Sequence, residues 1–401
     1  MTAAAAAGRR ATTAVLVVFA LNGFLFANWV SRLPAVRDAL GLTPGQMGLL
    51  LLVGSVGSLL ALPAAGAVAQ RWGTAPTVRG ASLVAAGGFV VVILGLLAEA
   101  VPLLALGLLV AQVGIAGWDV AMNVEGGVVE HAISREIMPR FHAGFSIGTV
   151  AGAGVGAVAA LLRVPVTLHL AAVAVAVVLG VLVATRGFLP HAPTPAATPG
   201  GGRRRRLAAA LGGWREPRTV LVGVMVLAFA LTEGAANDWV ALAVVDGFET
   251  SDAVGAVGFG VFVVAMTLMR LAGERLLARF GRVTVLRGTT VLALAGLLLF
   301  ALSPWLWLAF AGAFLWGLGA ALGFPAGMSA AGDEPLHAAM RVSVVASIGY
   351  MAFLCGPPLL GLLAEHVGYR YALLAIAGPL LLGFVVSGAA RPLADTRRVR
   401  V

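Results

Sequence analysis

Three polar side chains share one face of an otherwise apolar stretch: Gln112, Asp119 and Asn123, seven and four residues apart. On a helix that spacing stacks them in a single stripe. A carboxyl group inside a membrane costs about 2.5–3.5 kcal/mol on insertion scales, so such groups are rare and mark ion or substrate paths. The stripe must face protein or water, because lipid offers it no partner. Burial disfavours the charged form of a carboxyl group, which is the property a proton carrier needs. The competing reading of Asp119 is a structural hydrogen bond to a neighbouring helix. Glu233 repeats the pattern, with Asn237 one turn later and Asp238 and Trp239 beyond it. Asp119 and Glu233 are therefore the candidate proton-coupling residues, and Asp238 reads as a rim acceptor. Asn22 and Asn28 are the polar members of the first apolar stretch, among Phe24, Phe26 and Trp29. Together with Gln112, Asn123 and Asn237 they are candidate walls of a solute cavity. Trp118 and Trp316 could add flat apolar faces for a ligand, or serve as packing and interface anchors.

Other chemistries find no support. Gly144-Phe145-Ser146-Ile147-Gly148 fits the G-x-S-x-G pattern of serine hydrolases. That pattern needs a strand–turn–helix and a paired histidine, and here it falls inside an apolar span. The chain contains no lysine, which excludes a phosphate-binding P-loop. Its single cysteine, Cys355, excludes an intramolecular disulfide and a multi-cysteine metal site. The chain is not expected to be an enzyme, and no cofactor or metal is expected.

The elements that must position these residues are long and apolar. The chain is 60% hydrophobic and 11% charged, with a mean hydropathy of +0.99. Soluble domains carry roughly 25% charged residues. Stretches near the 20 residues needed to span a bilayer recur at 11–31, 46–69, 77–98, 101–124, 141–162, 164–185, 218–241, 254–278, 283–302, 304–328, 341–364 and 369–390. With the N-terminus inside, most arginines fall on the inner rim, from Arg9 and Arg10 through Arg203 to Arg206, Arg270, Arg341 and the tail. Only Arg32, Arg37, Arg163 and Arg370 fall outside. That bias supports an even number of spans with both termini cytoplasmic, in keeping with the twelve stretches. The net charge of +10 then needs no nucleic acid, because an arginine-rich rim suits anionic lipid headgroups.

The chain is also internally duplicated. Arg71-Trp72-Gly73 followed by Arg79-Gly80 returns as Arg279-Phe280-Gly281 followed by Arg287-Gly288, at an offset of 208 residues. Asn28-Trp29-Val30 echoes in Asp238-Trp239-Val240, and Ser146-Ile147-Gly148 in Ser347-Ile348-Gly349. Two halves are expected, an N-terminal six-helix bundle at 1–186 and a C-terminal one at 218–401. The proline-, glycine- and arginine-rich linker 187–217 joins them on the cytoplasmic side. Gly148, Gly152 and Gly156 line one face of the fifth span, and Gly349, Gly356 and Gly361 occupy the eleventh. Such small faces let membrane helices approach closely. The charges Glu125, Glu130, Arg135 and Arg140 cluster at the inner end of the fourth span. Arg71, Arg79, Arg279 and Arg287 lie in matching inner loops. Ion pairs among these loop charges could open and close an inner gate; positive-inside bias alone is the simpler account.

These features resemble the major facilitator superfamily over essentially the whole chain. The segments from Gly66 to Gly80 and from Gly273 to Gly288 are similar to that family's signature inner loops. Arg71 and Arg79 match the signature, whereas its acidic residue is replaced by Gln70 and Ala278. Asp119, Ala121, Met122 and Asn123 resemble the E-T-A-A-N motif of the fucose–proton symporter branch, with Asp for Glu. The resemblance implies Asp119 as the proton-coupling or substrate-linked carboxylate. That branch also carries an acid in its first helix, where this chain has only asparagines.

The expected protein is an all-α membrane protein with twelve transmembrane helices in two six-helix bundles, the major facilitator fold. It is expected to work by alternating access in a bacterial inner membrane as a monomer. Its partners would be a small polar, sugar-like solute, protons and membrane lipids. The alternatives are a proton-driven exporter of drugs or metabolites and a non-transporting membrane sensor.

Overall fold

A computed structural model describes residues 3–135, 137–190, 213–334 and 337–393. The cluster Arg203 to Arg206, most of the 187–217 linker and the tail arginines Arg397, Arg398 and Arg400 lie outside the described residues. The regular elements described are all helical. The first half contains α1 (Ala3–Val30), α2 (Leu33–Leu40), α3 (Pro44–Trp72), α4 (Thr74–Leu97), α5 (Val101–Ile133), α6 (Met138–Leu161) and α7 (Val166–Ala184). The second contains α8 (Pro217–Gly247), α9 (Asp252–Phe280), α10 (Arg282–Leu302), α11 (Leu306–Ala320), α12 (Gly323–Ala331), α13 (Ala338–Ala372) and α14 (Ala377–Val386).

Local chemistry sets the boundaries. Proline occupies the first turn of α3, α5, α6 and α8, where its missing N–H leaves no helical bond unmade. Thr43 caps α3, its hydroxyl accepting from the Gln46 N–H while the Gln46 side chain accepts from the Thr43 N–H. Gly73 separates α3 from α4 at φ 88°, ψ 159°. Gly281 separates α9 from α10 at φ 78°, ψ 157°. This region of backbone space is essentially open to glycine alone, which is why the glycine of the duplicated string is kept in both copies.

Eleven helical segments among the described residues are long and apolar enough to cross a bilayer, and the last, Met340–Ala390, has 51 residues. A straight helix of that length would run for about 76 Å, over twice the hydrocarbon thickness of about 30 Å. It is broken instead at Gly368, φ 77° and ψ 160°, so it supplies two crossings and brings the number to twelve.

The described residues fall into two compact units. One comprises those within Met1–Ala197 together with Thr250–Gly260; the other comprises those within Thr198–Glu249 and Val261–Val401. In the first unit α1 packs on α6 and α4 on α5; in the second α8 packs on α13 and α10 on α11. A duplicated sequence therefore gives a duplicated packing scheme. The α1–α6 contact rests on the glycine face read from the sequence. A methyl group at Gly148 would collide with the backbone of Ala20, one at Gly152 with the Phe24 carbonyl, and one at Gly156 with the Ser31 side chain.

Gly148→Val should therefore destabilise the protein by about 1–3 kcal/mol through overpacking. Gly154→Ala, where a methyl group meets nothing within 4 Å, should be neutral. Thermal unfolding of the purified variants checks this, and equal melting temperatures for the two would refute the packing account.

Candidate functional site

In the first unit Asp119 lies near the middle of α5, half-buried. The Asn123 amide donates to the Asp119 carbonyl oxygen at 2.8 Å and reaches its carboxylate Oδ1 at 3.5 Å. Among the described residues no cation is paired with Asp119, so an amide one turn away is its polar company. The stem of Gln112 lies over Gly54 of α3. Asn22 of α1 is buried and makes a long bond, 3.5 Å, to the Ile115 carbonyl oxygen one turn before Asp119. The stripe and Asn22 thus share one region of the unit.

Three of the expected cavity residues stand elsewhere. Asn28 is fully buried. Its Nδ2 donates to the Phe24 carbonyl oxygen at 2.8 Å, and its Oδ1 meets His169 Nε2 of α7 at 2.8 Å. Its amide ties two helices together and has no end left for a solute. Trp118 and Trp316 are also fully buried. The Trp316 ring is enclosed by Phe262 and Phe300, with centroids 5.5 and 5.9 Å away. Both tryptophans are packing residues, because neither exposes a ring face. The signal for His169 in the sequence is that it is the one titratable side chain of the sixth apolar span, 164–185.

The second unit holds an ion pair at membrane depth. Arg270 Nη2 donates to both carboxylate oxygens of Glu233, at 3.0 and 3.1 Å. Position along the chain groups Arg270 with the charged rim, but the structure corrects this. It lies ten residues, about 15 Å, inside the C-terminal end of α9. Glu233 is thus a carboxylate with a fixed counter-charge, unlike Asp119. Asn237 and Asp238, further along α8, are half-buried. Facing the pair, the tenth span departs from the continuous helix expected over 304–328. It divides into α11 and α12 at Ala321–Leu322. Pro325 explains the break, because it has no N–H to reach back four residues to the Ala321 carbonyl. Arg270 Nε makes a long bond, 3.5 Å, to that same oxygen.

One end of each unit is rich in arginine and is built on one plan with different chemistry. The residue after Gly73, Thr74, donates to Glu125 Oε2 at 2.5 Å, and Glu125 Oε1 accepts from the Leu189 N–H at 2.9 Å. The residue after Gly281, Arg282, binds both oxygens of Asp333 at 3.0 Å, and Arg218 joins it at 2.8 Å. Thr74 and Arg282, like Glu125 and Asp333, are 208 residues apart, the offset of the duplicated string. Arg79 Nε donates to Thr185 Oγ1 at 2.7 Å, and Arg287 Nε to Ser387 Oγ at 3.1 Å. These arginines bind the last helical turns of their own units. Arg71 and Arg279 are exposed, with Arg279 over the Phe280 ring at 5.2 Å.

A second charge cluster sits between the start of α8 and the start of α13. Arg341 meets Glu216 at 2.6 Å and Glu334 at 2.8 Å, while His337 meets Glu334 at 3.1 Å. The hydrogen bonds from Arg341 hold the Glu216 carboxyl below its ordinary value, with the Thr219 hydroxyl assisting. Hydrogen bonds from Arg341 and then His337 do the same for Glu334.

A span-rich chain with uncompensated and paired charges inside its spans, built twice, is a polytopic membrane transporter. The chain belongs to the major facilitator superfamily. The family model described as Major Facilitator Superfamily matches residues 239–400. An uncharacterized transporter, y4wD, of Sinorhizobium fredii is 35% identical over 375 residues, covering 90% of this chain and 96% of that one. An uncharacterized MFS-type transporter of Yersinia pestis is 31% identical over 381 residues, covering 94% of each. Among solved structures, a variant of the nucleoside transporter NupG superposes with a TM-score of 0.79 at 15% identity, over 94% of this chain and 99% of that one. A variant of the E. coli fucose:proton symporter FucP gives 0.66 at 15% identity, over 95% and 98%. These two likenesses concern the fold. The relatives and the fold are those of transporters rather than enzymes.

Carboxylates held below their ordinary value stabilise the folded chain above the unfolded pKa, near 4.5, and lose that contribution as the pH falls through the folded value. The melting temperature should therefore decline on acidification below about pH 4.5. Arg341→Gln should lower it at pH 6.5 and make the acid decline shallower. Parallel profiles for the variant and the parent would refute the assignment.

Proposed function

We propose that the chain is a proton-coupled secondary transporter of a small polar solute. In this reading it works by alternating access in a bacterial inner membrane, with both termini cytoplasmic. The halves 1–186 and 218–401 give the solute access to one side at a time, and the linker 187–217 joins them. Asp119 takes up and releases the proton, and Gln112, Asn123 and Asn22 supply the polar lining nearest to it.

The observation that carries the reading is the isolation of Asp119. It is a carboxyl group in mid-helix with an amide one turn away and no cationic partner among the described residues. An uncompensated carboxyl at that depth is costly unless it exchanges its charge with a proton. The polar stripe on α5 and the similarity of residues 119–123 to the proton-symporter motif agree with it. The named relatives are transporters of unassigned substrate, so the solute is a matter for screening.

Compounds that bind the native state raise its melting temperature, so a thermal-shift screen supplies the solute for the test. In proteoliposomes that solute should drive proton movement, read with an entrapped pH dye. Asp119→Asn should cut this flux at least tenfold while the variant melts within a few degrees of the parent. Undiminished proton-linked flux through a folded Asp119→Asn variant would overturn the proposal.

A further inference from the structure

We propose that Arg270 recognises a carboxylate group on the transported solute and that Glu233 occupies this arginine while the solute is absent. The proposal rests on the reading of the chain as a solute carrier and names the chemical class of its cargo.

The geometry of the pair points this way. Arg270 presents one nitrogen, Nη2, to both oxygens of Glu233, and Nε makes a long bond to the Ala321 carbonyl oxygen. Nη1 has no hydrogen-bond partner among the described residues. A guanidinium offers its donors as a planar fork that matches a carboxylate with two parallel bonds. Here a carboxylate is held by one tine, and the fork is not filled. The pair is also accessible, since the side chains of Arg270 and Glu233 are 27% and 20% exposed. A membrane-depth pair serving packing alone has no need of that access, and charges at this depth characteristically face a water-filled path.

The surroundings suit a ligand. The break at Ala321–Leu322 leaves helix-end backbone beside Arg270, and discontinuous membrane helices are recurrent places of solute binding. From the break a chain of aromatic contacts returns to Glu233. Phe324 lies in the first turn of α12, its ring is 6.5 Å from Tyr350, and Tyr350 is 6.3 Å from Phe353. Phe353 in turn lies against Gly234, next to Glu233. The three rings are half-exposed. An apolar wall with a few convergent polar groups is the usual make-up of a small-molecule site. The whole circuit, from Arg270 through Ala321, Phe324, Tyr350 and Phe353 to Glu233, belongs to the second unit.

A solute carboxylate and the Glu233 carboxylate compete for the same guanidinium. Removing the internal competitor should therefore strengthen binding, which a merely structural ion pair would not do. Purified full-length protein is tested by thermal shift and by calorimetry with matched acid and alcohol pairs. These are gluconate and glucitol, lactate and propane-1,2-diol, succinate and butane-1,4-diol, and benzoate and benzyl alcohol. At least one acid should raise the melting temperature by about 2 °C or more where its alcohol does not. Glu233→Gln should bind that acid at least threefold more tightly, and Arg270→Gln at least tenfold more weakly. If Arg270→Gln does not fold, the double variant E233Q/R270Q, which removes both charges together, should fold and bind no acid.

The proposal is overturned if no acid shifts the melting temperature, if alcohols act as well as acids, or if E233Q weakens binding. It is also overturned if E233Q/R270Q still binds the acid. Flux separates this outcome from that of the proposed function. An acid that binds through Arg270 but drives no proton flux defeats proton coupling and leaves the recognition site standing. Proton-linked flux of an uncharged solute with no acid binding defeats the recognition site alone.

Discussion

A bilayer interior supplies no water to satisfy a stranded polar group, and the arrangement of this chain follows from that constraint. Every backbone donor and acceptor must be satisfied within the protein, so the spans are helices. Close contact between helices must come from shape, so glycine lines α6 where it meets α1. A side chain with charge or hydrogen-bonding capacity needs a partner or a use. Asn28 has its partner in His169 and Glu233 in Arg270. Among the described residues Asp119 has only an amide, and that contrast separates a candidate for chemistry from residues that hold helices together.

Much of this was legible in the sequence. Hydropathy marked each crossing, because the length of an apolar run is a property of the run itself. The duplicated strings suggested two halves, and the glycine of those strings proves to hold a backbone conformation closed to other residues. The stripe of Gln112, Asp119 and Asn123 was readable because a single helix carries all three. What escaped notice lay between helices. Spacing along α8 could not show that Glu233 meets an arginine from α9. Arg270 stands close enough to the end of its span to pass for a rim residue. The partnership of Asn28 and His169 joins positions 141 residues apart, beyond the reach of any periodicity. The break that Pro325 makes in the tenth crossing, read from hydropathy as one stretch, emerged only with Arg270 beside the released carbonyl.

Duplication shaped the frame more than the chemistry, yet both halves carry charge within the membrane. No carboxylate in the tenth crossing answers Asp119. The second half places its charges on α8 and α9 and turns them toward that crossing. The same divergence appears at the arginine-rich ends. The Thr74 hydroxyl meets the Glu125 carboxyl where the Arg282 and Arg218 guanidiniums meet Asp333. Matched positions have kept the task of joining helices and changed the side chain that does it, threonine at 74 and arginine at 282.

The proline at position 325 acts through a hydrogen atom it does not possess. With any other residue there, the tenth crossing could close its ladder and reclaim the Ala321 oxygen. The imino ring makes that particular repair chemically impossible, so the oxygen is left open to a donor from outside the helix. Arg270 reaches it by one edge, at 3.5 Å. Its remaining donors can turn from one anion to another without the arginine itself being cast adrift.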